Sequence, residues 1–529
     1  YMITFDSLTL KAWTEENSEF LNGARIQKIQ QPTRREFVFT IRNNAQTRKF
    51  YVNINPQLHH LCFMSKENEA RRIIEIPQKP PMFCMLLRKY LENSKICGVN
   101  QPPYERILEF YIETYNELSE KIYLCLAIEL MGKHSNIILY NDDTNVIIGC
   151  AHNVGAEKSS VREMAGTLPY VYPPKQIKAD ILTYNGEIDY EKLSDEFFWF
   201  SKSFASQCTD KPLSQLKDFI NLKNIHPAIS QDYKEFSLFK ELIEPASEQE
   251  SVNAMIDNYF TYYQAKEKFK ALRTHLTTET NQKLKKIKTS LSKINAQIKR
   301  DENHGRYRLL GDLIMANLYN NKDYSSKIDV FDYENNKNLT IELDETKTLK
   351  ENANQFYKLY NKGKTSKLKL TEMSEQLKEN KAYCEQVQYS INCAENIKEL
   401  LEIKAELQPE EKTKEKKSAV EPIQLKEGDY TIFIGKNNRQ NDYIISKLAQ
   451  DEDLWFHTRN CAGSHVLLKG KNPPDEIILK CARLAKINSS ASESSKVGVI
   501  YTKRKYLRKP PKANLGYVTY REEQEIIID

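Results

Sequence analysis

The chain has 529 residues, 40% of them hydrophobic and 28% charged. At ~100–200 residues per domain this length predicts about three or four domains, and the composition excludes wholesale disorder. A formal net charge of only +6 excludes binding to nucleic acid by bulk charge, so any basic surface has to be local.

The first stretch, residues 2–175, predicts an α/β N-terminal domain. An apolar-periodic helix runs from about Ser7 to Leu21, and Asn22-Gly23 closes it. Asp6 stands where an N-cap belongs. Strands follow in ARIQKIQQ, EFVFTIRN, KFYVNIN and HHLCFMS, with the alternation of half-buried strands in the first of them. A helix over 81–93 starts behind Pro80-Pro81. Further strands come from ERILEFYIET, KIYLCLAIELM and SNIILYN, with Lys133-His134-Ser135 as a polar turn. Glu105-Arg106 reads equally well as a solvated strand pair.

Between 176 and 245 the β pattern stops. Short helices broken by Pro, Gly and Asn are expected in ADILTYNG, DYEKLSDEFFWFSKSFASQ, PLSQLKDFINLKNIHPAIS and EFSLFKELIE. From 246 to 408 two heptad seams appear. One is Leu284, Ile287, Leu291, Ile294 and Ile298, preceded by Phe269, Leu272 and Leu276. The other is Leu370, Met373, Leu377, Asn380, Cys384, Val387, Ile391 and Ala394. Two such helices in one chain predict an antiparallel coiled coil, an arm of about 60 Å for ~40 residues. Asn380 occupies a core position, where it would set the register. An inserted tip, about 305–355, combines GRYRLLGDLIMANLYNN with a hairpin whose turn is expected at Glu334–Asn338.

Residues 409–422 are charged and poor in apolar residues, and predict a solvated linker. The last domain, 423–529, opens with a strand, polar turn and helix in GDYTIFIGKNNRQNDYIISKL; GKNN is not a P-loop. DEDLWFHTRNCAGSHVLLKG then crowds Asp453, Trp455, Phe456, His457, Arg459, Gly463, Ser464 and His465 around one loop, expected at Thr458–Ser464 between two short strands. Two aromatics beside two imidazoles and an arginine suit stacking on a base or sugar and contact with phosphate. The same residue types also suit a buried Trp-Phe pair with hydrogen-bonded histidines. The spacing of His457, Cys461 and His465 is wrong for a zinc finger, and no metal site is expected. After a helix in DEIILKCARLAKINSSA, two strands flank a basic loop. Residues 469–512 hold twelve Lys or Arg against three acids, and Lys503, Arg504, Lys505, Arg508 and Lys509 form a candidate RNA-backbone patch.

Ten cysteines are scattered singly, with no CxxC, which predicts a reducing compartment. There is no charged-then-apolar leader, and no apolar run approaches the ~18–20 residues of a membrane span. The expectation is a cytoplasmic protein rather than a surface adhesin.

DLWFH and GSHV resemble the signature of the RNA-binding domain of the NFACT family, and GKNNRQND and KRKYLRKPP are further marks of it. LAIELMGKHSNIILYN and SSVREMAGTLPYVYPP resemble the family's N-terminal domain, and RYRLLGDLIMANLY with NANQFYKLYNK resembles its arm. Two departures stand out. Glu105 takes the place of an aspartate, and Ala462 the place of a proline before Gly-Ser-His. The resemblance implies an α+β multidomain chain: N-terminal domain, helix-hairpin-helix-like module with Asn224 in the left-handed position of its hairpin, long coiled coil with its tip, and α/β C-terminal domain ending near the C-terminus. It implies that Asp6, Glu105 and Arg106 handle tRNA. It also implies a ribosome-associated quality control factor, with no cofactor and no catalytic residue of its own. The partners it implies are the large ribosomal subunit (rRNA and stalk-base proteins) carrying peptidyl-tRNA, alanyl-tRNA, and a small RNA-binding helper protein. On the ribosome it would act as a monomer that promotes C-terminal alanine tailing. An enzyme of DNA-glycosylase ancestry is the alternative; it needs an N-terminal Pro or Lys, and Met2-Ile3 offers neither.

Overall fold

The computed structural model describes residues 5–157, 159, 161–301, 303–319, 322–408 and 421–529. Met2, Ile3 and most of the expected linker lie outside these. The chain divides into two compact units, Tyr1–Glu267 and Lys268–Asp529. Helices and sheets are mixed in both, as expected, and among the described residues every pairing within the two large sheets is antiparallel.

The first unit opens with α1 (Ser7–Leu21), capped by Asp6, whose Oδ1 accepts from the Thr9 amide at 2.8 Å. Nine strands follow among the described residues: β1 (Arg25–Thr33), β2 (Glu36–Asn43), β3 (Gln46–Asn53), β4 (His60–Met64), β5 (Lys95–Asn100), β6 (Ile107–Tyr115), β7 (Lys121–Glu129), β8 (Asn136–Asn141) and β9 (Ile147–Cys150). They form one sheet in the order β4-β3-β2-β1-β5-β6-β7-β8-β9. Between β4 and β5 lie α2 (Lys66–Arg72) and α3 (Met82–Leu91). Trp13 of α1 stacks on Phe63 at 5.6 Å and lies in the main core with Phe5, Phe37, Phe39 and Phe50.

The next region departs from the expected run of helices. It has three short helices, α4 (Leu193–Glu196), α5 (Lys202–Gln207) and α6 (Leu213–Ile220). A small sheet follows, of β10 (Ala228–Ser230), β11 (Phe236–Ser237) and β12 (Ala246–Glu248). The expected helix in EFSLFKELIE is therefore a strand and one 3₁₀ turn. The reason is tertiary: Phe236 and Phe239 are both buried, and each packs on an aromatic ring of another element. Asn224 takes the left-handed conformation, φ +55°.

The long helix α7 (Val252–Asp301) begins in this unit. Its first backbone N–H groups, at Val252 and Asn253, donate to the Glu16 carboxylate at 2.7 and 3.0 Å, an anion at the positive end of the helix dipole. Asn253 exchanges two hydrogen bonds with the Phe63 backbone, at 2.7 and 2.9 Å. Arg72 pairs with Asp257 at 2.5 Å, and their side chains are 0% and 2% exposed.

In the second unit, α8 (His304–Ala316) leads to a hairpin of β13 (Lys327–Asp332) and β14 (Lys337–Glu342), followed by α9 (Leu349–Cys393) and α10 (Ile397–Leu407). The helices pair antiparallel. Arg273 donates to the Asn392 carbonyl, Gln388 to the Asn281 side chain, and Ser374 to Asn295 at 3.4 Å, so partner numbers fall on one helix as they rise on the other. With 45 residues α9 is roughly 68 Å long. Three details differ from the heptad reading. Ser374 is buried while Met373 is 52% exposed, because Ser374 is the residue that faces Asn295. Asn380 is not between the helices: its Oδ1 accepts from Asn514 at 3.4 Å. The stretch after Cys393 is a separate helix, whose Leu400 and Ile403 pack on Leu276, Val387 and Ile391. At the tip, Gly311 is needed because a Cβ there would lie 2.9 Å from the Tyr357 ring. The tip hairpin turns at 333–336, starting one residue and ending two residues earlier than expected, since Asp332 already pairs with Lys337 and Phe331 with Asn338.

The C-terminal domain is a six-stranded sheet among the described residues: β15 (Ile423–Glu427), β16 (Tyr430–Ile434), β17 (Leu454–Thr458), β18 (Val466–Lys469), β19 (Val497–Lys503) and β22 (Gln524–Ile528), in the order β15-β16-β18-β17-β19-β22. Helix α11 (Asn438–Tyr443) follows β16 and α12 (Asp475–Ile487) covers one sheet face; β20 (Leu507–Arg508) and β21 (Thr519–Tyr520) form a small ribbon.

Breaking the buried Arg72–Asp257 pair from one side leaves an uncompensated charge. Arg72→Met should lower the first unit's stability by about 3–5 kcal/mol in denaturant unfolding, and adding Asp257→Leu should recover most of that loss.

Candidate nucleic-acid interface

Two places collect the residues of interest, one in each unit. In the first, a cleft of about 1400 Å³ is lined by the β1–β2 turn, the start of α3, the Met131–Asn136 segment and the start of β6. Arg106 lies on its wall, just before β6. Its guanidinium has no hydrogen bond or ion pair among the described residues. Burial lowers its pKa, while the carboxylates of Asp6 and Glu105 act in the opposite direction. Burial likewise raises Glu105, against the pull of Arg106. Arg34, Arg35 and Lys133 stand exposed on the rim, also without ion pairs among the described residues. Arg162 does not add free charge, since it is bidentate to Glu129 at 2.9 and 2.5 Å. Met82, 91% exposed, supplies an apolar edge beside Phe83.

Asp6 is committed internally. Beyond the helix cap, its Oδ2 accepts from Ser201 Oγ at 2.7 Å, and the residue is 9% exposed. Its part in the site is the field it exerts on Arg106 rather than a free carboxylate. The arginines of the β1–β2 turn were not among the sequence candidates. The signal was there, two cations at the tip of a tight turn, but nothing local tells that Arg106, some seventy positions on, faces the same cleft.

His59 is coupled to this site. Burial, then the nearby Arg106 charge, hold its pKa at about 4, against 6.5 ordinarily. Its Nδ1 lies 3.2 Å from the Pro56 carbonyl. An imidazole that stays neutral when folded but protonates when unfolded contributes stability above pH 6.5, and that contribution is lost as pH falls toward 4. Between pH 6.5 and 5 the loss from His59 should approach about 2 kcal/mol in pH-dependent unfolding. Arg106→Ala should raise the His59 midpoint in an NMR titration.

In the second unit the DLWFH strand is β17, and its alternation splits the predicted contact residues between two faces. Phe456 is completely buried on the α12 side, stacked on Tyr501 at 5.3 Å. It is core, not contact surface. Trp455 and His457 share the opposite face, their rings parallel within 2° and 5.8 Å apart, and His465 meets both edge-on at 5.3 and 5.2 Å. Trp455 and His465 are buried, so the stretch forms the wall of a cleft rather than an exposed patch. The facing wall is α9 and the 514–520 loop, and the volume is about 410 Å³.

Asp453 acts in the turn that leads into β17, and Ser464 in the loop after it. Asp453 Oδ2 accepts from the Gln450 amide at 2.8 Å, and the Ser464 amide donates to Asn488 at 2.8 Å. Gly463 serves close approach: a Cβ there would lie 2.8 Å from Ser489 Cβ. The left-handed residue of the loop is Asn460, φ +57°. The Gln386 side chain clasps Gly463, donating to its carbonyl at 2.9 Å and accepting from its amide at 2.7 Å. The sequence reading had no signal for Gln386.

The two imidazoles offer no positive charge to a phosphate here. Burial holds His457 at about 4 and His465 well below its ordinary value, so both rings are neutral near pH 7. Arg459 is paired with Glu525 at 2.7 Å. The basic loop is also partly paired. Lys503 and Lys505 share Glu452, each at 2.7 Å, and Lys509 pairs with Asp442. Arg504 donates from Nε to the Ile445 carbonyl at 2.9 Å. Of these five cations, only Arg508 makes no side-chain hydrogen bond or ion pair among the described residues. The lysine pairs are exposed, screened by salt and easily exchanged for a phosphate.

Residues 6–207 and 200–423 match the family described as NFACT N-terminal and middle domains, and residues 423–521 match the NFACT protein RNA binding domain. The chain belongs to the NFACT family. A Rqc2 homolog RqcH from Bacillus subtilis is 28% identical over 99% of this chain and 98% of that relative. The protein of the same description from Streptococcus suis is 29% identical over 99% and 98%. The solved N-terminal part of the fibronectin/fibrinogen-binding protein from Streptococcus suis is 26% identical and covers 49% of this NFACT chain and 100% of that structure, with a TM-score of 0.44. Among the described residues no helix is long and apolar enough to cross a membrane.

Gln386→Ala removes both side-chain hydrogen bonds to the peptide groups of buried Gly463. It should destabilise the C-terminal domain by about 1–3 kcal/mol in thermal unfolding.

Proposed function

We propose that this NFACT protein is a cytoplasmic ribosome-associated quality control factor that positions tRNA on the large ribosomal subunit and does no bond chemistry itself. The observation that carries the reading is the unpaired, half-buried Arg106 in a cleft rimmed by Arg34, Arg35 and Lys133. A half-buried cation without a carboxylate partner is costly unless an anion completes it, and an RNA phosphate is the anion that a long cationic cleft suits. The likeness to Rqc2 homologs over nearly the full length supports the ribosomal setting.

In this reading the subunit still holds peptidyl-tRNA, the protein delivers alanyl-tRNA, and repeated transfer by ribosomal RNA builds a C-terminal alanine tail that marks the chain for proteolysis. Arg106 contacts the tRNA; Asp6 and Glu105 set its charge and orientation. Lys503, Arg504, Lys505, Arg508 and Lys509 follow an RNA backbone, with Arg508 ready and the lysines exchanging acid for phosphate. The coiled-coil tip reaches the stalk base of the subunit, and a small RNA-binding protein assists.

Affinity purification with sequencing of the bound RNA tests this. The wild-type chain should bring down large subunits and one tRNA species. Arg106→Ala should lose tRNA at least about tenfold, keep the subunit, and shallow the salt dependence of tRNA binding by about one unit of log–log slope. Full tRNA retention in that variant would refute the role given to Arg106.

A further inference from the structure

The cleft between α9 and the DLWFH strand has a composition that phosphate recognition does not explain. Two of its side-chain atoms are buried and have no hydrogen-bond partner among the described residues: the indole Nε1 of Trp455 and Nδ1 of His465. Buried polar groups are ordinarily paired, and an orphan costs free energy until a partner reaches it. The rest of the lining is mainly ring and apolar surface, including His457, Tyr517, Tyr520 and Ile500. Its charged members are Glu385 and Arg459, and Arg459 is spent on Glu525.

A volume of about 410 Å³ is within the range of small-molecule sites. It admits one nucleobase with part of its sugar. Such a ring offers what the wall lacks. It has a lone pair for the Trp455 N–H, an edge group that donates or accepts for neutral His465 Nδ1, and π-faces for the tyrosines. The one cation of the lining, Arg459, is already paired with Glu525, and an apolar chain would leave both polar atoms unmet.

We propose that this cleft binds one neutral heteroaromatic ring of nucleobase size, read at its edge by Trp455 and His465. The ring comes either from an unpaired nucleotide of RNA or from a free nucleoside. The first source rests on the RNA-contact reading of the C-terminal domain; the second does not. Gln386 serves as a positioning residue, since its hold on Gly463 sets the loop that carries His465 to the wall.

The test uses the full chain and saturation-transfer NMR, titrating adenosine, guanosine, cytidine and uridine, and in parallel single-stranded RNA hexamers of each base. Saturable binding is expected, with transfer strongest at base protons. Ala382→Phe fills the cleft from the exposed side of α9 and should weaken binding at least tenfold without changing the melting curve. Trp455→Phe, which keeps a ring and removes the N–H, should weaken it severalfold. Hexamers bound and nucleosides not, with loss in Ala382→Phe, assigns the ring to RNA; nucleosides bound and hexamers not assigns it to a free ligand. No saturable binding by any probe overturns the proposal. Equal binding in wild type and Ala382→Phe overturns it too, while leaving RNA contact elsewhere intact. Nucleoside binding together with failed tRNA recovery would sink the tRNA reading alone.

Discussion

The start of the long helix is held by a buried polar knot, and the first unit is arranged around it. Asp257 accepts from Arg72, from the Asn68 side chain at 2.8 Å and from the Ser65 amide at 2.9 Å. Glu16 takes the first amides of α7, and Asn253 closes on both β4 and Trp13. Each partner comes from a different element, so α1, α2, β4 and α7 are correct together or not at all. Apolar contacts between Trp13, Phe50, Phe63 and Phe260 supply the bulk of the burial, but they tolerate sliding. The hydrogen bonds do not tolerate it, because a shift by one residue strands a buried charge.

The second unit uses the same device with amides. Gln386 on α9 reads the Gly463 peptide groups, and α10 presents Glu399, Glu402 and Glu406 to Lys436, Asn437 and Asn438. The helical hairpin is thereby joined to the C-terminal sheet through side chains that face away from the heptad seam. Asn380 belongs to this set. A polar residue at a heptad core position is usually a register device, but here it is the site where a third element docks.

The two candidate sites differ in their electrostatics. The N-terminal cleft is open and cationic, with charge left unpaired, which suits a phosphodiester backbone. The C-terminal cleft is neutral and walled by rings, because burial keeps both histidines uncharged. Histidine, arginine and aromatics close together in sequence read as one RNA-binding patch. In the fold, strand alternation and a pair with Glu525 separate them into a core residue, an exposed ion pair and a cleft wall.

What the chain alone determined was local and periodic. The capped helix from Ser7 to Leu21, the N-terminal strands and the apolar spacing along the two long helices all follow from side-chain spacing and capping, which act over a few residues. The left-handed Asn224 came from the family resemblance, through the hairpin that it implies. Only the tertiary structure decided which face of β17 looks outward, that Arg34 and Arg106 share a cleft, that Gln386 holds Gly463, and that Phe236 lies in a strand. Those depend on pairing between elements far apart in sequence, where burial and hydrogen-bond satisfaction outweigh local preference.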